Sequence, residues 1–503
     1  MTRTNYDSDF CGSVPIQLIN LIQPYGVLVV VRREDHKMIQ VSENATEVFG
    51  MPYADLIDTR IESHITGETG IDLLNHIDNQ NKIPSVWEIS HKPFLALLHS
   101  YEKYFIVEID KAPYDKSQQL LFVDVYREIK YAMSLIQSSP SIEDAARNCA
   151  KEIKRISGFD KVMVYRFDQN WNGTVIAEQC EPDMESYLGI TFPASDIPQQ
   201  ARKLYQKNAY RFIPTREYQA VRLFPVINPI AGSFIDLSDC NLRSVPAVHL
   251  EYLGNMNVTS SLSARIMNGD TLWGLITCHH KTEKTLSFEV RSIFEMLSNV
   301  VSARMASLLN NEVHRFSLRM KEQYKNLVED AYRKGSDNIS AALLDGEPDL
   351  LTLFSAGGVA ISLAGRVQFK GEVPEPEQFR ELMLWLHAKR LRHVFTTDSL
   401  ANEYDQAADF SNVASGMMVV PVDFENDEYV ILFRPEFVRT VTWGGNPEDR
   451  IRFEDGSRNY HPRASFAKWK ELVQGTSKSW REEEVSAAES LRSFIYEFSK
   501  LAT

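Results

Sequence analysis

The chain has 503 residues, 44% hydrophobic and 11% aromatic, and a formal charge of −14 at pH 7. That length allows about three or four domains, and the acidic balance, without a basic stripe, argues against a nucleic-acid partner. No apolar run reaches about 18 residues, so no membrane span is expected, and the polar start Met1–Asp9 does not read as a signal peptide.

Residues 1–10 read as disordered. Between Val14 and Gly26 several isoleucines and leucines ask for burial, while Pro15, Pro24 and Gly26 forbid a long helix. This segment needs cover from elsewhere in the chain. Val27–Val31 reads as a buried strand with Met38–Ser42 as its hairpin partner, and Asn44–Gly50 as a short helix closed by glycine. Further strands are expected at 85–90, 104–110 and 119–125. A helix over 127–137 leads to a linker at Ser138-Ser139-Pro140.

A second α+β unit opens with a helix at 142–156. The β-branched alternation of Lys161–Phe167 predicts a strand, paired with Thr174–Glu178. Residues 213–246, broken by Pro214, Pro225, Pro229, Gly232 and Pro246, form an aperiodic stretch of the kind that is functional or covers something. Ser260–Ile266 and Leu272–Cys278 form a hairpin about Asn268-Gly269-Asp270. Residues 282–334 hold no Gly or Pro and carry apolar residues at helical spacing. They predict one helix of about fifty residues, roughly 75 Å long, a spine shared by domains or a dimer seam. Strands at 358–362, 416–421 and 428–433 mark a third unit. The segment 434–480 is poor in aliphatics and is expected to project onto another domain's surface. The helix 481–502 has heptad-like spacing and ends on an apolar stripe, as though cut from something longer.

Three local patterns carry chemistry. In Phe192-Pro193-Ala194-Ser195-Asp196-Ile197-Pro198, Pro198 suits the first helical position and drives Ile197 into an extended conformation. Asp196 is thereby held in a kink at a helix mouth; standing alone, the motif would be an ordinary helix start. His279 and His280 are adjacent on a strand and point to opposite faces, a poor metal pair, so no metal site is expected. The five cysteines (11, 149, 180, 240 and 278) lack pair spacing and read as reduced cytosolic thiols.

Five separated signals then coincide: Cys11 ahead of Ile22-Gln23-Pro24-Tyr25-Gly26, the Asp196 motif, Leu242-Arg243 ahead of His249-Leu250-Glu251-Tyr252, Trp273–His280, and Pro462-Arg463-Ala464-Ser465-Phe466. Together they resemble the photosensory core of a bacteriophytochrome, a red/far-red light sensor carrying a linear tetrapyrrole, over essentially the whole chain. The resemblance implies an α+β fold of three tandem sensor domains, PAS, GAF and PHY, joined by a long helical spine. It also implies a figure-of-eight knot between PAS and GAF, in which 213–246 is a lasso around the N-terminal segment. The expected domains are 1–126 (PAS with the N-terminal segment), 127–310 (GAF) and 311–503 (PHY), with a tongue at about 434–480 and an output helix at 481–502.

The resemblance further implies covalent biliverdin. Cys11 would form the thioether, because Val248 stands where plant and cyanobacterial members carry their attachment cysteine. Asp196, Ile197 and His249 would border the pyrrole nitrogens, with the Asp196 backbone carbonyl as acceptor and its carboxylate left for another partner. His279 would bond the D-ring carbonyl. Arg211 and Arg243, with Ser261 and Ser263, would hold the propionates. Met163, Tyr165, Tyr187, Phe192 and Tyr252 would wall the D ring. A protonated tetrapyrrole is a buried cation and needs such acceptors. In the tongue, Arg463 would pair with Asp196 in the dark and Ser465 would replace it after light. Two departures are visible. Tyr25 stands at a usual histidine, and Pro246-Ala247-Val248 replaces a more usual Ser-Pro-x, with loss of a hydroxyl.

The implied function is a photoreceptor that isomerises its chromophore and signals through the tongue and spine to a C-terminal output module. No phosphoacceptor-histidine box, ATP lid or GGDEF-like motif occurs, so the chain reads as no enzyme itself. A histidine kinase or other effector would lie beyond Thr503 or on another chain. A homodimer through the long helices and a response regulator are the expected partners, with no nucleic acid and no membrane. Two alternatives remain: a cyclic-nucleotide-binding GAF module, whose arginines clamp a phosphate, and a ligand-free PAS–GAF dimerisation scaffold.

Overall fold

The computed structural model describes residues 16–66, 82–112, 114, 122–335, 339–423, 425–446, 451–453, 460–462 and 465–500. Cys11 and Arg463 lie outside the described residues. The chain divides into two compact units, 1–308 with 442–469, and 309–441 with 470–503.

The first unit contains two large sheets and a two-stranded one formed by Ile451–Phe453 and Tyr460–Pro462. Strands of the large sheets, in chain order, are β1 (Leu21–Ile22), β2 (Gly26–Arg32), β3 (Met38–Ser42), β4 (Ile65–Thr66), β5 (Lys82–Ile89), β6 (Lys92–Ser100), β7 (Tyr104–Asp110), β8 (Lys161–Phe167), β9 (Gly173–Cys180), β10 (Thr191–Phe192), β11 (Tyr210–Ile213), β12 (Val221–Phe224), β13 (Ser260–Asn268) and β14 (Thr271–His280). The N-terminal sheet runs β1-β12-β3-β2-β7-β6-β5-β4. Its β12 comes from the aperiodic stretch 213–246 and is laid beside β3 and β1. On the other side of the N-terminal segment, Gln23 N–H donates to the Leu242 carbonyl at 2.7 Å, Ser244 N–H to Leu21 at 3.0 Å and Leu237 N–H to Gln17 at 3.1 Å. The segment 17–23 is therefore hydrogen-bonded by two parts of one loop. This satisfies buried backbone that no helix could satisfy. Gly26 is required where the two meet, since an added Cβ would stand 2.6 Å from Leu242 Cδ2 and 2.9 Å from the Ile109 carbonyl.

The second sheet is β11-β13-β14-β8-β9-β10, extended by two strands of the 434–480 arm, Arg439–Gly444 and Lys468–Val473. Strand residues alternate between faces. Val162, Val164, Leu262, Ala264, Ile276 and Cys278 face the helices Phe122–Gln137 and Ile142–Ser157 and the first half of the long helix Phe288–Lys334, in one buried core. The helix Ile142–Ser157 is capped by Ser141, which accepts from Asp144 N–H, and ends at Gly158 in the left-handed region.

The second unit holds a five-stranded sheet, in the order Arg366–Gly371, Gly358–Leu363, Glu428–Arg434, Gly416–Asp423, Phe395–Thr397. One face packs on the helix Pro376–Lys389. The other packs on Met320 and Leu327 of the long helix and on Ala488, Leu491, Ile495 and Phe498 of the helix Glu482–Lys500.

Three expectations are corrected. No strand covers 122–125: the helix begins at Phe122, because the pattern continues into Ile129, Ala132 and Ile136, which bury one helical face. The long helix begins at Phe288 rather than 282. Pro198 is the residue before the helix, with ψ 160°, and Gln199 opens it.

Candidate functional site

The Asp196 motif forms a 3-10 turn over Ala194–Asp196, then Ile197 leaves the helical region (φ −126°, ψ 82°) without reaching a fully extended conformation, as the following Pro198 disfavours helix there. Arg202, one turn into the following helix, folds back. Its Nη1 donates to the carbonyls of Ile197 (2.7 Å) and Ala194 (3.4 Å), and its guanidinium lies 4.7 Å over the Trp171 ring. The Asp196 carboxylate accepts from Tyr252 Oη at 2.8 Å, so it is already partnered within the site, contrary to expectation. Tyr252 stands one turn after His249 on the helix Ala247–Asn255, and the two rings are stacked at 6.0 Å.

The register of β11, β13, β14 and β8 pairs Arg211 with Ser263, Ser261 with His279, His279 with Lys161, and Thr277 with Met163. Directly paired residues share a face. This face looks away from the helices, and Met163, Tyr165, Tyr187, Ile190 and Phe192 cluster on it. His279 is buried, and its Nδ1 has no hydrogen-bond partner among the described residues. Burial, then Lys161, pushes its pKa down to about 3; burial, then Arg211, pushes His249 down to about 4. Both are neutral imidazoles at pH 7. Lys161 is itself buried; its Nζ donates to the Glu185 carbonyl and sits 3.8 Å over the Tyr187 ring. His280, on the opposite face, pairs with Asp160 at 2.9 Å.

These histidines tie stability to pH. Unfolded imidazoles take protons below about 6.5, whereas the folded ones resist to about 4 and about 3. The unfolded chain therefore binds more protons in that window, and stability falls as pH drops through it. The thermal midpoint of the ligand-free protein is expected to hold above pH 7 and to fall between pH 6.5 and 4, less steeply in His279→Gln. An identical slope in that variant contradicts this assignment.

Gly173 sets the Tyr165 ring. A Cβ there would stand 1.7 Å from Tyr165 Cε1. Gly173→Ala is expected to displace the ring and to destabilise the fold by about 1–3 kcal/mol, read by thermal denaturation and near-ultraviolet circular dichroism. An unchanged midpoint and spectrum would contradict this packing.

At the other end of the same face lie two arginines. Arg211 Nη1 donates to the Asn241 carbonyl at 3.2 Å and Nη2 to that of Arg243. Arg243 is buried; its Nη1 reaches the Ile16 carbonyl at 3.3 Å, and its Nε has no hydrogen-bond partner among the described residues. Burial and the Arg211 charge push its pKa down to about 9, which still leaves it a cation at pH 7. Neither guanidinium pairs with a carboxylate among the described residues. Ser263 stands opposite Arg211 in the register, and Ser261, two residues back on the same face, is buried.

The 434–480 arm covers the aromatic end. Trp443 pairs in parallel with Thr191, and Gly444 lies so close to Phe192 that a Cβ would stand 2.8 Å from its Cε1. Phe466, buried, meets the Tyr252 ring edge-on at 5.1 Å. Ser465 is exposed.

Three family descriptions match in tandem: a PAS fold over residues 11–112, a GAF domain over 141–305 and a phytochrome region over 320–502. A bacteriophytochrome of Xanthomonas campestris pv. campestris is 32% identical over 98% of this chain and 79% of its own length. The chain belongs to the phytochrome family. Cyanobacterial phytochrome B of Nostoc sp. is 37% identical, and the chain spans 64–66% of the length of three cyanobacterial relatives. Among solved structures, the Stigmatella aurantiaca phytochrome photosensory core module superposes with a TM-score of 0.82 at 32% identity, and a bacteriophytochrome of R. palustris with 0.83 at 33%. Each match covers 98% of this chain and 99% of the other.

Phytochrome membership implies a linear tetrapyrrole chromophore. The donor set fits such a group: a buried and a part-buried guanidinium without a carboxylate among the described residues, an unpaired buried imidazole nitrogen, and an aromatic wall. Sequence reading missed three residues of this phytochrome site. Lys161 was visible only as the first residue of a strand, Tyr205 only as part of a helical run, and Phe466 only as the end of a motif. The alternation of β8 marks Lys161 as sharing a face with Met163 and Tyr165.

Proposed function

We propose that this chain is a red/far-red photosensory module that binds biliverdin covalently, photoconverts reversibly and passes the change through its tongue and spine to an output module. The carrying observation is the carboxylate-free pair of part-buried Arg211 and buried Arg243. Two desolvated guanidiniums side by side are costly unless an anion joins them, and their forks match carboxylates. When bound, the bilin supplies the visible absorption and the C15=C16 double bond whose isomerisation is the photochemical event.

The protein's residues do the rest. Arg211 and Arg243, with the hydroxyls of Ser261 and Ser263, bind the two propionates. Cys11 would hold the A-ring vinyl group by adding across it: the C=C π bond would break, one S–C bond would form, and the thiol proton would go to the other vinyl carbon. The Asp196–Ile197 kink and His249 would offer acceptors to the pyrrole nitrogens, and His279 would hold the D-ring carbonyl. Met163, Tyr165, Tyr187 and Phe192 exclude water around that ring. Tyr252 bonds Asp196 and touches Phe466 of the tongue, so a shift at the kink is felt there. Arg463 and Ser465 are the alternating tongue partners of Asp196.

On this reading the domains are 1–126, 127–310 and 311–503. Exposed Val313 and Leu318 on the long helix (49% and 53%) support a homodimer along it. No helix among the described residues is long and apolar enough to cross a membrane. The sensor turns over no substrate; a kinase or other effector, or a response regulator, reads its state.

The test is to incubate purified chain with biliverdin and weigh it under denaturing conditions. A mass increase of one biliverdin, fluorescing with zinc, supports the reading. An unmodified chain that takes up cyclic nucleotide instead overturns it.

A further inference from the structure

The peptide 241–243, which carries Arg243, is held from two sides. From the GAF sheet, Arg211 takes the carbonyls of Asn241 and Arg243. From the N-terminal sheet, the Glu108 carboxylate on β7 takes the amides, Asn241 N–H at 3.1 Å on Oε1 and Leu242 N–H on Oε2. Glu108 is 6% exposed, and His99 on β6, 2% exposed, places Nε2 2.7 Å from Oε1. A buried carboxylate is costly unless hydrogen-bonded. Burial raises its pKa, but the close approach of His99, with the Leu242 amide, outweighs that and holds it below the usual carboxylate range.

Cys240 completes a buried set with His99 and Glu108 whose donor atoms all lie within 4.8 Å. It is not an open metal site. His99 and Glu108 stand at 2.7 Å, nearer than the about 3.3 Å between two ligands of one zinc ion, and both carboxylate oxygens already accept amides.

We infer that Glu108 is a positioning residue for the anion clamp of the neighbouring domain. By holding the Asn241 and Leu242 amides it fixes the peptide from which Arg243 projects beside Arg211. An otherwise soft loop thus becomes a rigid mount for a propionate-binding guanidinium. Without it, one face of the peptide loses two charge-assisted hydrogen bonds, and Arg243 can swing from the anion. This rests on the bilin reading above.

The test uses the purified full chain with two probes, biliverdin and its dimethyl ester, which lacks both propionate charges. Wild type is expected to prefer the diacid. In Glu108→Ala that preference is expected to fall about tenfold, the weakening of one charge-assisted hydrogen bond. Glu108→Gln, which keeps the volume and one acceptor, gives an intermediate loss. In the ligand-free protein, hydrogen exchange at the amides of Asn241 and Leu242 is expected to quicken by about tenfold or more in both variants. A purely structural glutamate would lower thermal stability and leave the diacid-to-diester ratio unchanged; that result overturns the inference and leaves the bilin reading intact. If the alanine variant does not fold, the glutamine variant decides alone, by the same ratio and the same exchange. Wild-type protein that binds neither pigment overturns the bilin reading, and this inference with it.

Discussion

Arg243→Leu is expected to weaken biliverdin binding by about tenfold to a hundredfold without lowering the thermal midpoint of the ligand-free protein. Loss of a hydrogen bond to a charged partner costs about 1.5–3 kcal/mol, which sets the range. The second half of the prediction is the discriminating one. A structural buried arginine pairs with a carboxylate, and breaking such a pair costs about 3–5 kcal/mol. Arg434 in the second unit is of that kind: Nη2 bonds Glu484 at 2.6 Å and the guanidinium lies 3.6 Å over Trp480. Among the described residues the Arg243 guanidinium has only the Ile16 carbonyl at 3.3 Å, an Nε without a partner and a neighbouring cation. Leucine of similar girth removes a desolvated charge from the empty fold, so the ligand-free midpoint holds or rises while the loaded protein loses affinity. A fall of several degrees in the ligand-free midpoint, with pigment affinity unchanged, would make Arg243 an ordinary structural residue.

Cys11→Ser is expected to abolish the covalent adduct completely while pigment still binds without a bond. Nucleophilic addition needs thiolate, and the described cysteines offer little. Cys149, Cys240 and Cys278 are buried, and burial pushes each thiol well up. Cys180, half-buried, is raised by burial and then by the Glu178 charge. That leaves Cys11, the attachment site proposed above. Intact mass after denaturation, with and without biliverdin, reads the outcome; an adduct that persists in the serine variant moves the attachment to another residue.

Much of the site was legible because its geometry follows from local rules. The alternation of Lys161–Phe167 and of the 260–280 hairpin fixes which residues share the pocket face, and the proline-framed kink follows from two φ constraints. The long helix was legible from the lack of Gly and Pro, though not its first turn. What was not legible depends on partners distant in sequence. Lys92–Ser100 reads as an unbroken apolar run with no strict alternation, because it is buried between β5 and β7. Val221–Phe224 is a strand only because the N-terminal sheet offers it an edge, with Leu223 opposite Ser42. The Tyr252–Asp196 bond spans 56 residues and the Glu108 grip on Leu242 spans 134; no local pattern announces either. The family resemblance supplied roles for single residues, and the sheet register independently brings Arg211, Ser261, Ser263 and His279 to one face.

The central claim is a chromophore caged by the GAF sheet whose twist reaches the tongue. Its most direct test is a light-minus-dark absorption spectrum of the biliverdin-loaded protein under alternating red and far-red illumination. The account predicts a red or far-red band that one colour depletes and the other restores, over many cycles. A loaded protein that stays colourless, or whose band no illumination changes, contradicts it.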